Sequence, residues 1–194
     1  MIKKKSLSII KNNLIEHHLV IQNLDDQIKE QIYSVSEKIA KSLKKGGTIF
    51  WCGNGGSASD SMHLSAELIG KFKKRRKPLK SISLCGNPST LTCIANDFGF
   101  QNIFSRQLEA LAKQGDILIA ISTSGKSKNI IEALKIAKRL KVFSITLAGN
   151  GGGQCKKYSN KSLIVKSQNV ARIQETHILI GHIICELIEK NLNL

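Results

Sequence analysis

Short apolar runs alternate with segments of helical period from residue 48 to the end of the chain, and that alternation leaves few ways for it to fold. Ile49-Phe50-Trp51, Ile117-Leu118-Ile119-Ala120-Ile121 and Val142-Phe143-Ser144-Ile145-Thr146-Leu147 are near-continuously apolar, as strands covered on both faces must be. The pattern predicts strands at 48–52, 80–85, 116–121, 142–147 and 161–166. Between them it predicts helices at 57–71, from 88 onward, at 103–113, 126–140 and 170–191, with a short helical piece near 151–158. Alternating βα units of this length mean a parallel sheet with helices on both faces, whose ligands bind beyond the carboxyl ends of the strands where the topology reverses. Ahead of it, Leu7, Ile10, Leu14, Ile28, Ile32, Val35, Ile39 and Leu43 keep helical spacing up to Gly46-Gly47, a helix stop. Two N-terminal helices are expected over residues 1–45, and the sheet with its C-terminal helix over 46–194.

Nothing splits this pattern by repeat, linker or low-complexity segment, so the 194 residues are expected to form one domain. The apolar runs fall far short of the roughly 18 residues of a membrane span, and the Lys-rich start lacks a secretory core and cleavage site. A cytoplasmic protein without a membrane partner is the expectation. Cys52, Cys85, Cys93, Cys155 and Cys185 are scattered, with no Cys-x-x-Cys pair, and suit reduced, buried thiols. A net charge of +16 invites a nucleic-acid reading, but only Arg75, Arg76, Arg106, Arg139 and Arg172 are arginines and aromatics for base stacking are few. Solvated lysine-rich faces explain the charge, and no nucleic-acid partner is expected. The one basic cluster, residues 71–77, is either an exposed loop at a helix end or the rim of an anion site.

Two loops have the chemistry of anion cradles. Gly53-Asn54-Gly55-Gly56-Ser57 runs from a strand into a helix and offers backbone amides at a helix N-terminus. Ser122-Thr123-Ser124-Gly125-Lys126-Ser127 does the same with added hydroxyls, and lacks the spacing of a Walker loop. A glycine turn and a serine cap would be the bland accounts of the two. His63 and Glu67 stand four residues apart on the first of these helices and share a face. On the last helix, Gln174 and His182 are about 80° apart in rotation, while His177 falls on another flank. His63, Glu67, Gln174 and His182 together offer a four-ligand N/O set suited to zinc, although a glutamine ligand is uncommon. Asn96-Asp97, between two helical pieces, offers an amide and a carboxylate for sugar hydroxyls, or a plain Asx turn.

With Asn96-Asp97-Phe98-Gly99-Phe100, Phe104-Ser105-Arg106 and Arg172-Ile173-Gln174-Glu175 added to these motifs, the chain resembles, over nearly its whole length, the phosphoheptose isomerases of the sugar isomerase (SIS) domain proteins. The resemblance implies a three-layer α/β/α fold, flavodoxin-like, with a five-stranded parallel sheet, and a homotetramer with active sites at subunit interfaces. It implies conversion of sedoheptulose 7-phosphate to D-glycero-D-manno-heptose 7-phosphate, for bacterial lipopolysaccharide or capsule. By position, Asn54, Gly55, Gly56, Ser57, Glu67, Asn96, Asp97, Ser122, Thr123, Ser124, Ser127 and Gln174 would bind the sugar phosphate. His63, Glu67, Gln174 and His182 would hold one zinc per subunit, without an organic cofactor, and Glu67 and His182 would be the acid/base pair. Lys71 and Ala171 depart from the family, where some members have arginine and aspartate. The rival reading is a non-catalytic tetramer of the DnaA initiator-associating type, which lacks the complete catalytic pair; this chain has both Glu67 and His182.

Overall fold

In the computed structural model of the protein, which describes residues 2–194, five parallel strands form one sheet in the order β2-β1-β3-β4-β5. The strands are β1 (Ile49–Gly53), β2 (Ser81–Ser83), β3 (Ile117–Ser122), β4 (Phe143–Gly149) and β5 (Lys161–Val165). The helices are α1 (Ile2–Gln22), α2 (Asp26–Lys44), α3 (Gly56–Ile69), α4 (Pro88–Phe98), α5 (Ser105–Leu111), α6 (Lys128–Arg139), α7 (Cys155–Tyr158) and α8 (Val170–Asn191).

Side chains alternate across the sheet and divide the core in two. Ile49, Trp51, Ile117, Ile119, Ile121, Ile145 and Leu147 pack under α2, α3 and α8. Phe50, Cys52, Leu118 and Ala120 meet α4, α5 and α6 on the other face. The three-layer α/β/α reading therefore holds. The one buried indole N–H is satisfied within the core, donating from Trp51 Nε1 to Ser81 Oγ at 2.9 Å.

The two expected N-terminal helices are present as α1 and α2, parted by residues 23–25, where the Asp25 carboxylate caps α2 by accepting from the Ile28 amide at 3.0 Å. Two later elements differ from the sequence expectation. Strand β2 covers three residues instead of 80–85, because the chain turns away at Gly86, whose amide donates to the Ser83 carbonyl. Asn96 and Asp97 lie inside α4, near its end, instead of between two helical pieces. Four of the five cysteines are buried and Cys93 is exposed. No helix among the described residues is long and apolar enough to cross a membrane.

Strands β1 and β3 are neighbours, and the chain leaves β1 for β2 on one side before returning to β3 on the other. The loops after β1 and β3 thus flank the topological switch point, the crevice where α/β sheets bind ligands.

Candidate active site

The turn after β1 is held by its neighbour across that crevice. Asn54 Nδ2 donates to Asn129 Oδ1 at 2.9 Å, and Asn129 Nδ2 donates back to Asn54 Oδ1 at 2.8 Å. Asn129, in the first turn of α6, is buried, and this amide pair fixes the glycine turn against the start of α6. Asn54 therefore spends its side-chain amide on the scaffold, and its carbonyl accepts from the Ser57 amide at 3.0 Å. Sequence reading missed Asn129; only an asparagine two residues after a serine loop hinted at it.

In the loop after β3, Ser122 Oγ lies 3.3 Å from Ser127 Oγ, and the Lys126 amide donates to Ser124 Oγ at 3.2 Å. Ser127 occupies the N-cap position of α6 without a side-chain capping bond among the described residues, so the first-turn amides of α6 are not spent on its hydroxyl. The loop is braced from behind: the Gly149 amide donates to the Thr123 carbonyl and the Cys155 amide to the Gly125 carbonyl. Of the first-turn amides of α6, that of Ile130 donates to Asn129 Oδ1 at 3.0 Å, and the hydroxyls, the other amides and the rigid backing have the chemistry to hold an anion.

Helices α3 and α8 run side by side in the same direction. Gly56 lies against Gln174, Leu64 against Gly181, and the end of α3 near Glu189. A Cβ on Gly181 would stand 2.4 Å from Leu64 Cδ1, so glycine is what lets the helices approach. That approach seats the next residue, His182, opposite His63, with the two Nε2 atoms 2.9 Å apart and the rings edge to face. Glu67 Oε1 is 3.5 Å from His63 Nε2, and donor atoms of His63, Glu67 and His182 all lie within 4.8 Å of one another. One turn earlier, burial raises the Asp60 carboxyl pKa while His63 pulls it down, and Asp60 Oδ2 has no partner among the described residues.

Three of the four expected zinc ligands are thus brought together. Gln174 is not among them in this structure: its amide lies over Gly56, where a Cβ would come within 2.6 Å of Nε2. That is about 10 Å of helix rise from His63, so Gln174 faces the glycine turn instead. The remaining three groups fit a metal by their spacing. Tetrahedral N/O ligands about 2.0–2.1 Å from zinc stand roughly 3.4 Å apart, and two imidazoles with a carboxylate are the donor set of a catalytic zinc site with a position left open. Asn96 and Asp97 are exposed on α4, the Asn96 amide donating to Asp97 Oδ1 at 2.7 Å, and neither is brought to the cluster.

The basic run 71–77 is not a uniform solvated loop. Arg76 and Glu189 form an ion pair at 3.0 Å, with side chains only 1% and 4% exposed. Phe72 lies on His182, ring centroids 5.4 Å apart and planes 22° from parallel. A single buried arginine among exposed basic residues leaves no mark in the sequence.

An open groove of about 550 Å³ lies at the opposite end of the sheet, lined by Lys38, Lys41, Lys45, Lys138 and Lys141 among others. Lys41, Lys45, Lys138 and Lys141 stand at the C-terminal ends of α2 and α6, where positive charge offsets the helix dipoles, and the groove holds none of the candidate groups.

A family model described as SIS domain matches residues 16–149. Phosphoheptose isomerase 1 of Campylobacter jejuni is 47% identical over 185 residues, covering 95% of this chain and 99% of that protein. The phosphoheptose isomerase of Clostridium acetobutylicum is 49% identical over 168 residues, covering 87% and 86%. The solved structure of a phosphoheptose isomerase from Francisella tularensis superposes with a TM-score of 0.92 at 34% identity, covering 95% of this chain and 98% of that one.

Proposed function

The chain belongs to the phosphoheptose isomerase family of SIS-domain proteins, and from that premise we propose that Glu67 and His182 transfer the protons of an aldose–ketose isomerisation. The substrate is sedoheptulose 7-phosphate and the product D-glycero-D-manno-heptose 7-phosphate, for bacterial lipopolysaccharide or capsule. The observation behind this reading is the grouping of His63, Glu67 and His182 by α3 and α8.

Moving a carbonyl from C2 to C1 takes a proton from one carbon and delivers one to its neighbour, through an enediol whose oxygens gather negative charge. Glu67 handles the proton on one of these carbons and His182 the other transfer, while the hydroxyls of Ser122, Thr123, Ser124 and Ser127 and the α6 amides hold the phosphate. Gln174 and the backbone at Asn54, Gly55, Gly56 and Ser57 suit the oxygens between, and Asn96 and Asp97 suit sugar hydroxyls. His63, Glu67 and His182 would hold a zinc ion, which when bound supplies positive charge for the enediol oxygens.

We further propose a cytoplasmic homotetramer without a nucleic-acid partner. The backbone rise from Gly56 to Glu67 is about 16 Å, longer than a heptose phosphate, so juxtaposing the serine loop of one copy with the Glu67 and His182 of another would complete a site. In one copy, α1 exposes Leu7, Ile9, Ile10, Leu14, Ile15 and Leu19, a surface that an assembly would cover.

The test is turnover of sedoheptulose 7-phosphate by the parent, Glu67→Gln and His182→Gln. Each variant should lose at least about a hundredfold in kcat, the scale of a lost general acid or base. Near-parental kcat in either removes that residue from the mechanism. Mixing Glu67→Gln with Ser127→Ala subunits tests the shared site at substrate concentrations far below the KM of Ser127→Ala, where the rate of the hybrid tetramers should differ from the sum of the two variants' separate rates; a simple sum would refute sharing.

A further inference from the structure

Helix α8 presents His182, Glu186 and Glu189 at helical spacing, and all three hold the loop that follows α3. Glu189 accepts from the backbone amides of Phe72, Lys73 and Lys74 at 3.3, 3.1 and 3.2 Å, and from Arg76 Nε at 3.0 Å. Lys73 Nζ pairs with Glu186 Oε1 at 2.8 Å. The result is a fixed seat for Phe72, whose ring lies on the His182 imidazole.

The same loop grips the other helix. Arg76 donates through Nη1 to the carbonyls of Leu68 at 2.8 Å and Gly70 at 3.2 Å, and through Nη2 to the carbonyl of Glu67 itself at 2.8 Å. One buried guanidinium therefore ties the backbone of Glu67 to Glu189, and Glu189 in turn ties down the residue that covers His182. The pair restrains the loop, because two buried charges have no solvent to trade their partners for.

We propose that Phe72 is a positioning residue for proton transfer: its ring, set by the Arg76–Glu189 latch, holds the imidazole plane of His182 so that Nε2 faces His63 and Glu67. The inference rests on the assignment of His182 made above. A half-buried imidazole such as that of His182 can still turn about its χ2 torsion, which is broad for a ring on an sp³ carbon. A flat ring lying nearly parallel to it removes that freedom in a way that an aliphatic side chain of similar volume does not. Misorienting a reacting group by about an ångström costs on the order of a hundredfold, so a partial loss of plane should cost about tenfold.

The experiment compares the parent with Phe72→Leu, Phe72→Tyr, His182→Gln and the double variant Phe72→Leu/His182→Gln. Phe72→Leu should lower kcat about tenfold with KM changed less than about threefold, Phe72→Tyr should stay within about threefold of the parent, and the double variant should match His182→Gln alone. In proton NMR spectra the ring resonances of His182, identified by their loss in His182→Gln, should move in Phe72→Leu and hold in Phe72→Tyr. Should Phe72→Leu melt below the assay temperature, Phe72→Met takes its place. Parental kcat in Phe72→Leu, or a further loss on the His182→Gln background, overturns the inference, as does an unmoved His182 resonance. Lost turnover in His182→Gln beside parental turnover in Phe72→Leu would sink this inference alone. Parental turnover in His182→Gln would sink the assignment beneath it as well.

Discussion

Replacing Arg76 by methionine keeps the length and apolar stem of the side chain and removes the charge, and the structure fixes what that costs. Glu189, only 4% exposed, loses the Nε donor, and the carbonyls of Glu67, Leu68, Gly70 and Lys77 lose a charged donor. Removing one partner of a buried pair costs about 3–5 kcal/mol, against a total stability of roughly 5–15 kcal/mol for a domain. For a chain of this size each kcal/mol moves the melting point by about 2–4 °C, so Arg76→Met should melt roughly 6–20 °C below the parent. Circular-dichroism melts at one fixed protein concentration read this directly, since an oligomer's melting point depends on concentration. The double variant Arg76→Met/Glu189→Met is the sharper measurement. An isolated buried pair replaced by apolar residues is often neutral or better. Here Glu189 also satisfies three backbone amides that methionine cannot, at about 1 kcal/mol each, so the double variant should stay at least about 3 kcal/mol below the parent. Recovery to within about 1 kcal/mol would refute this account of the loop. The exposed neighbours are the control, and Lys74→Ala and Arg75→Ala should shift the melting point by no more than about 2 °C.

An imidazole that ligates zinc has no lone pair left for a proton, so chelation separates the two proposed roles of His182: unchanged kcat in chelator keeps it as acid/base, and lost kcat restored by zinc makes it a ligand. Ser124→Ala and Ser127→Ala should raise KM at every ionic strength with little change in kcat, and a KM effect that vanishes in high salt would contradict direct contact. Burial lowers the His177 pKa to about 4 from an ordinary 6.5, with the Ala148 carbonyl offsetting little, and neither ring nitrogen has a partner at hydrogen-bond geometry among the described residues. The unfolded chain then takes the proton first as pH falls, so full stability above pH 6.5 should decline by about 3 kcal/mol toward pH 4, and His177→Phe should lack that slope in urea titrations; parallel profiles would refute it. Gly181→Ala puts a methyl 2.4 Å from Leu64 Cδ1 and should lower both stability, by about 1–3 kcal/mol, and kcat, whereas parental kcat would mean that His182 tolerates the displaced helix.

What the sequence made legible is what repeats locally. Strands buried on both faces read as apolar runs, glycine and serine turns mark where each strand gives way to its helix, and His63 and Glu67 share a face by spacing alone. What stayed hidden depends on partners far apart in the chain. Asn54 and Asn129 are 75 residues apart, and Arg76 and Glu189 are 113 apart. Nothing in the run Lys71-Phe72-Lys73-Lys74-Arg75-Arg76-Lys77 sets its buried arginine apart from its solvated neighbours. Neither an exposed loop nor an anion rim therefore describes Arg76, which is a staple inside the core.

The placement of Gln174 shows the same limit from the other side. Helical arithmetic puts Gln174 and His182 about 12 Å apart along α8, and reading both as ligands of one metal requires the facing helix to bring its own groups midway between them. Because α3 and α8 run in the same direction, residues instead meet in register: Gly56 with Gln174, Leu64 with Gly181, the end of α3 with Glu189. His63 and Glu67 therefore reach His182 and not Gln174. Relative helix direction is set by the sheet topology, which sends α3 away from the end of β1 and α8 away from the end of β5, two parallel strands in the same sheet. The side-chain set can thus be read from the sequence, but its division into Gln174 beside the glycine turn and a His63, Glu67 and His182 group further down the helix pair follows only from the fold.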